Sequence, residues 1–253
     1  MSNVNSTIES GRGKHAQFSG VWKGGDFKGN WRSGRFITGT FYGTWHNGVW
    51  QAGTWYGGLW CAGEWRSGEW QAGTWMDGSW KNGTWCAGVW HDGTWHNGAW
   101  LDGAWKRGTW FNGEFFGGVW VDGIWLNGTW NGGSWQGGLW KDGLWAGGTW
   151  LRGGWERGTW LSGSWSNGSW YGGTWKGGSW SAGTMYDCTW HDGDFHAGIW
   201  RGGIWKGGTW HNGEWVNGTW LGGEWKGGYI WDRQKNKSVR SSVSPPEYYA
   251  GNS

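Results

Sequence analysis

Three cysteines, Cys61, Cys86 and Cys188, are all that this 253-residue sequence contains, and they cannot all pair. No two are spaced as C-x-x-C. That argues against a disulfide framework and fits a reducing compartment better. No apolar run approaches membrane-spanning length. The opening residues, MSNVNSTIESGRGKHAQ, lack the apolar stretch of a secretory signal, so the expected location is the cytoplasm or an assembled virion. The N-x-S/T triplets, such as Asn82-Gly83-Thr84, then carry no expectation of glycosylation. Basic residues are not gathered along the chain either. Net charge is +3, but residues 45–230 carry −3, with +4 in residues 1–44 and +2 in 231–253. A nucleic-acid-binding face concentrates Lys and Arg along the body, so neither nucleic acid nor a membrane is an expected partner. Catalytic signatures are missing as well: no HExxH, no GxxxxGK[ST], no Ser/His/Asp set in distinct context. Matches to GxGxxG mean nothing where glycine is everywhere and no helix follows. No enzyme activity and no cofactor are expected.

What is present is glycine and tryptophan, 58 and 37 residues, against two prolines. Excess glycine often signals disorder, but disorder comes with few aromatics, and 21% of this chain is aromatic. These rings must be buried. From residue 45 to 225 every fifth residue is an anchor, 37 in all. Thirty-four are Trp; the others are Phe115, Met185 and Phe195. The residue three after each anchor is Gly in 36 of 37 cases, the exception being Cys188. Upstream the G-x-aromatic unit continues less regularly at Phe18, Trp22, Phe27, Trp31, Phe36 and Phe41, with four-residue intervals from 18 to 22, 27 to 31 and 41 to 45.

In an extended segment, residues two apart face the same side, so Gly and anchor share one face and the residue between them takes the other. The residues Trp-x-x-Gly form a corner. A type II turn wants positive φ at its third residue, and that slot holds Gly, Asn or Asp in 26 of 37 corners. Short strands joined by tight corners, with no helix signal, describe a solenoid in which each strand pairs with the coils above and below.

These residues resemble the pentapeptide-repeat proteins, whose unit is small-x-large-x-x. Here Gly takes the small slot and Trp the large one, and Ala16-Gln17-Phe18 is nearest to the usual form. The resemblance covers about residues 16–230 and rests on the period; the Leu and Asp/Asn preferences of the family are largely missing. It implies a four-sided, right-handed β-helix with four pentads per coil, and so about 10 to 11 coils for 43 anchors. The stretch Tyr42-Gly43-Thr44-Trp45-His46-Asn47-Gly48 is also similar to part of a MORN repeat, but the strict five-residue period argues against those longer hairpin units.

The expected organisation is a polar arm (1–15), a pentad solenoid (16–231; irregular over 16–44, strict over 45–230) and a basic C-terminal tail (232–253), extended or disordered when alone. Met185 and Cys188 share a pentad, a smaller anchor beside a larger filler, as a common interior demands. With 20 residues per coil, His91/His96 and His191/His196 lie on adjacent sides of one corner, and Asp102, Asp122 and Asp142 share a turn column. These are the candidate metal ligands; variable surface slots and capping of turn N–H groups are the plainer readings. Thr109, Thr129, Thr149, Ser169, Thr189 and Thr209 form a hydroxyl ladder that either steadies the β stack or binds carbohydrate or ice. In the tail, Arg233, Lys235, Lys237, Arg240, Tyr248 and Tyr249 are candidate interaction residues, with Pro245 and Pro246 beside them.

The expected function is that of a non-enzymatic, rigid structural or interaction element, a component of a larger assembly such as a bacteriophage particle. It would meet other proteins through the solenoid ends and the tail. The alternative is an outer face that binds carbohydrate or ice; DNA mimicry ranks below both, because a scattered −3 body resembles no DNA surface.

Overall fold

Each pentad begins by turning at glycine. At Gly88 φ is +127°, and the same sign recurs at nearly every glycine that precedes an anchor by two. Val89 and Trp90 then form a two-residue strand, and Trp90 points inward with no exposed surface. The strand bonds downward twice: Val89 N–H donates to Gly73 O (2.9 Å) and His91 N–H to Trp75 O (2.8 Å). A computed structural model describes residues 13–245, and side chains from residue 18 onward. Throughout, it repeats this unit as a parallel β-solenoid of about 14 turns, without helix among the described residues. The chain divides into two units, residues 1–128 and 129–253.

The coil holds three pentads, not four. In the first unit Trp85 pairs with Trp70 below and Trp100 above, 15 residues away on each side. In the second unit Trp150 pairs with Trp135 and Trp165. The four sides, 20-residue coils and 10 to 11 turns that the family likeness implies are therefore not what this chain forms. The reason lies in the rings. Successive indoles meet edge to face, with Trp45–Trp50, Trp50–Trp55 and Trp55–Trp60 centroids 6.0, 6.2 and 5.9 Å apart. Three rings at that spacing close around a shared centre.

One coil up, the like indole stacks nearly flat. Trp60–Trp75 centroids are 4.7 Å apart at 6°, and Trp140–Trp155 are 4.7 Å apart at 5°. Strand spacing thus sets the ring spacing, and both stacked and edge-to-face contacts are favourable geometries for aromatic quadrupoles. Every anchor from Trp45 to Trp215 is 0% exposed, Phe115, Met185 and Phe195 included. Burial of the tryptophans, expected from composition, is what the structure shows. Few indole N–H groups find an oxygen: Trp50 donates to Ser67 O (3.1 Å) and Trp165 to Ala182 O (3.2 Å), whereas Trp55, Trp70 and Trp75 have no such acceptor. Ring packing, rather than side-chain hydrogen bonding, holds this interior.

Glycine has a different reason from the one the pattern implied. A Cβ at Gly88 would lie 2.4 Å from Gly73 O, the acceptor of the ladder bond from Val89. Positive φ and this close backbone approach both exclude a side chain. Room for the ring is a secondary gain: a Cβ at Gly73 would also lie 3.2 Å from Trp55 Nε1. The type II assignment, which put positive φ one residue earlier, is likewise corrected; among the described residues only Asn236 is a non-glycine with positive φ. Asn and Asp favour the preceding slot for another reason. Their Oδ1 accepts the N–H of the next glycine, as Asn47 does from Gly48 (2.8 Å) and Asp77 from Gly78 (2.6 Å).

Irregularities sit where the sequence placed them. The four-residue intervals make 14-residue coils: Phe27 pairs with Phe41, Trp31 with Trp45 and Phe36 with Trp50. Fifteen-residue coils begin at a bulge, where Phe41 pairs with Trp55 but Tyr42 with Gly57, leaving Tyr56 over. At Cys188 φ is not positive, and the strand runs straight through the corner from Thr184 to Trp190. Cys188 is 1% exposed and Met185 0%, so the larger filler and the smaller anchor do share the interior.

Both ends differ from expectation. The first strand starts at Gly13, which pairs with Phe27, so pairing begins before residue 16. The first half of the tail does not run free but folds back on the solenoid as a hairpin. Gly228–Asp232 continues the ladder parallel to Glu214–Trp215, then pairs antiparallel with Lys237–Ser241. The unpaired edge of that last parallel strand gives the chain something to fold back on. Asp232 accepts from Lys235 N–H (3.0 Å), and Asn236 takes φ +49° to close the turn. Beyond it Ser241 O accepts from Trp225 Nε1 (3.1 Å), and Pro245 is buried.

Candidate functional site

With 15 residues per coil, the outward positions fall into columns other than those a 20-residue coil predicts. Asp102 and Asp122 occupy different corners of the first unit, and Asp142 lies in the second. Each accepts the N–H of its own next glycine, at 2.7, 2.8 and 2.7 Å. The stack of three carboxylates does not exist, and the capping reading holds. The hydroxyl ladder is also dispersed: Thr109 pairs with Thr94 and Ile124, Thr149 with Ser134 and Ser164, Thr189 with Thr174 and Ile204, and Thr209 with Asp194 and Glu224. Shorter ladders replace it, Ser134-Thr149-Ser164-Ser179 and Thr159-Thr174-Thr189.

The four histidines remain on adjacent sides, because residues five apart always do, but their partners come from coils 15 residues away. His96 Nε2 lies 2.9 Å from Lys81 Nζ, and its ring stacks on Phe111 at 5.2 Å. Burial, with Lys81 beside it, pushes the His96 pKa down. His196 stacks on His211 at 4.6 Å, and His211 Nε2 lies 3.1 Å from Asp194. Burial, then Lys176 and Lys206 on the neighbouring coils, pushes the His191 pKa down. Cations beside His96 and His191 are poor company for a metal ion. Among the described residues no three or more His, Cys, Asp or Glu side chains are grouped to hold one, and His91 joins no such group.

The hairpin gathers the basic candidates. Arg233 and Lys235 sit in its turn, with Lys237 and Arg240 on its outer strand, all exposed. Lys235 Nζ pairs with Asp232 Oδ2 at 2.9 Å, and the bonds from Lys235 hold the Asp232 pKa below the usual carboxylate range. Tyr248, Tyr249 and Pro246 lie outside the described residues.

A further set of side chains stands out only in the structure. Tyr42, Tyr56, Tyr171 and Tyr186 each follow an anchor, and each lies in a strand that continues through its corner: Thr40–Trp45, Thr54–Trp60, Ser169–Trp175 and Thr184–Trp190. They are 57, 56, 51 and 38% exposed. Tyr171 and Tyr186 stack on each other at 5.2 Å and 12°. Tyr42 and Tyr56 instead border a groove of about 350 Å³ with Asp26, Phe27, Lys28, Thr40 and Phe41. Thr40 Oγ1 donates to Asp26 Oδ1 at 2.6 Å. The sequence signal was there, tyrosine in the slot after an anchor, but nothing in the pattern separates that slot from its neighbours.

Comparison with protein families and with curated proteins gave no match. Among solved structures, the chain aligns with a protein assigned as an acetyltransferase from Desulfovibrio desulfuricans. That alignment has 4% identity and TM-score 0.17, covering 81% of this chain and 69% of the other. At that score the likeness carries nothing about fold or function. The chain is therefore defined by its own architecture, a five-residue-repeat β-solenoid filled with indoles.

Proposed function

We propose that the protein is a non-enzymatic structural or interaction element of a larger assembly, with a bacteriophage particle as the leading context. The observation that carries this reading is the division of labour within the pentad. Gly and the anchor are fixed by backbone and core, while the three other positions vary from coil to coil on the outside. Such a scaffold displays side chains at strand spacing, about 4.8 Å along each face, without altering its interior. The C-terminal hairpin adds a contact element, four exposed basic residues beside an outer strand whose far edge carries no neighbour among the described residues. Unpaired edges of this kind accept strands from partners.

The test is quantitative mass spectrometry of particles purified from the virus or organism that encodes the chain. Constant stoichiometry through successive purification steps supports the reading, and replacing Arg233, Lys235, Lys237 and Arg240 by Gln should reduce incorporation at least fivefold. Loss of the chain on purification, or unchanged incorporation of the fourfold variant, refutes assembly through the hairpin.

A further inference from the structure

The first coils are built with a step. At one corner the chain takes four residues, Phe27 to Trp31 and again Phe41 to Trp45; on the next coil the same corner takes five, Trp55 to Trp60. The added residue has no partner in the ladder, and the pairing shifts by one at that point. Tyr56 is therefore carried on a coil longer than the two beneath it. The groove bordered by Asp26, Lys28, Thr40, Tyr42 and Tyr56 follows from that difference in length. Bulges of this kind re-aim side chains.

The groove's chemistry is mixed in a specific way. Two phenol rings are more than half exposed, yet they make no stack with each other of the kind that joins Tyr171 to Tyr186. Tyr42 is positioned by the backbone above it: its Cε2 lies 3.3 Å from where a Cβ on Gly57 would stand. Around the rings lie a carboxylate and hydroxyl already joined, Asp26 and Thr40, and the exposed ammonium of Lys28. The volume is at the small end of ligand-sized pockets. An aromatic face takes the C–H face of a sugar ring, and carboxylate, hydroxyl and ammonium groups exchange hydrogen bonds with its hydroxyls. A nucleotide would stack as well, but its phosphate, drawn to Lys28, would lie close to Asp26 in the same groove; a sulfated or carboxylated glycan would meet the same conflict, and a neutral sugar avoids it.

We propose that this groove is a binding site for a neutral carbohydrate, with a sugar ring against Tyr56 or Tyr42 and its hydroxyls toward Asp26, Thr40 and Lys28. The proposal goes beyond the assembly reading and does not depend on it; either fails without the other.

The test is affinity electrophoresis of the whole chain through native gels containing dextran, hydroxyethylcellulose or galactomannan, with dextran sulfate as the anionic comparison. At least one neutral polymer should retard the protein. Tyr56→Ala and Tyr42→Ala should each raise the apparent dissociation constant tenfold or more, whereas Tyr171→Ala should leave it within twofold. Near-ultraviolet circular dichroism confirms that each variant keeps the indole core. Three results would overturn the proposal: no retardation by any neutral polymer, retardation by dextran sulfate alone, or retardation that survives both groove substitutions or falls equally with Tyr171→Ala.

Discussion

Gly177 and Gly178 are neighbours in one corner, and alanine should separate them by several kcal/mol. At Gly178 φ is +103°, and a Cβ would lie 2.4 Å from Gly163 O and 2.8 Å from Gly163 N. Holding a non-glycine residue at such a φ costs about 1–3 kcal/mol. Relieving the overlap means opening the coil below, where Ser179 N–H donates to Gly163 O at 2.9 Å, and the coil above, where Asp194 N–H donates to Gly178 O at 2.9 Å. Each weakened bond adds about 1 kcal/mol. Gly178→Ala should therefore destabilise by about 3–5 kcal/mol. At Gly177 φ is not positive, and the nearest atom to a Cβ is Leu161 O at 3.6 Å, an ordinary contact. Gly177→Ala should be neutral, or stabilising by up to about 1 kcal/mol through the lost freedom of the unfolded chain. Guanidinium unfolding followed by near-ultraviolet circular dichroism measures both. If the two variants fall within about 1 kcal/mol of each other, the backbone account of the repeat glycine is wrong.

The remaining expectations concern the interior and one titrating group. Met185→Trp and Cys188→Gly should each destabilise by about 1–3 kcal/mol while the double variant regains much of the loss; additivity within about 0.5 kcal/mol would show that the two positions do not share space. Burial pushes the Cys188 thiol well above its ordinary range, so iodoacetamide at pH 8 should label Cys61 and Cys86 but reach Cys188 only in denaturant. Iodide should quench little of the tryptophan emission, because the anchors from Trp45 to Trp215 are fully buried; red-shifted, freely quenched emission would contradict the core. His191 has its pKa lowered by burial and by Lys176 and Lys206, so its native form binds a proton less readily than the unfolded form. Its contribution is thus intact above the ordinary histidine pKa and declines as pH falls through it; Lys206→Gln should move the His191 NMR titration midpoint upward.

The burial of Trp, the all-β class and the outline of the solenoid were legible because they follow from residues two apart sharing a face and from the cost of exposing so many rings. The number of sides was not legible, because every fifth residue turns inward whether three or four pentads close a coil. Only the indole–indole distance across the interior decides, and the sequence holds no distances. That single count relocates the candidate sites. Asp102 and Asp122 part, the ladder from Thr109 to Thr209 disperses, and His96, still five residues from His91, takes Lys81 and Phe111 as its neighbours on the adjoining coils. The hairpin is not legible for a related reason: Lys237–Ser241 is mostly polar and basic, and its strand pairs along the edge that Gly228–Asp232 offers. The metal reading of the histidines and aspartates gained no support from this geometry, whereas the basic tail residues came together on one turn and strand.

Repetition this regular raises a problem of address. If every coil presented the same glycine, the same two-residue strand and the same three indoles, a stretch of chain displaced by 15 residues would stack as well as the correct one, and no contact would report the error. The departures from the pattern supply the missing coordinates. The Phe195 ring centroid lies 4.1 Å from that of Trp210 but 5.9 Å from that of Trp180, Met185 is buried in the same pentad as the only filled glycine slot of the strict repeat, and Tyr56 marks where 14-residue coils give way to 15. A displaced chain would set these residues against partners that do not match them. The few positions that break the rule are thus what make a single threading distinguishable from its copies, and the regular coils between them are the part that can lengthen or shorten by whole turns.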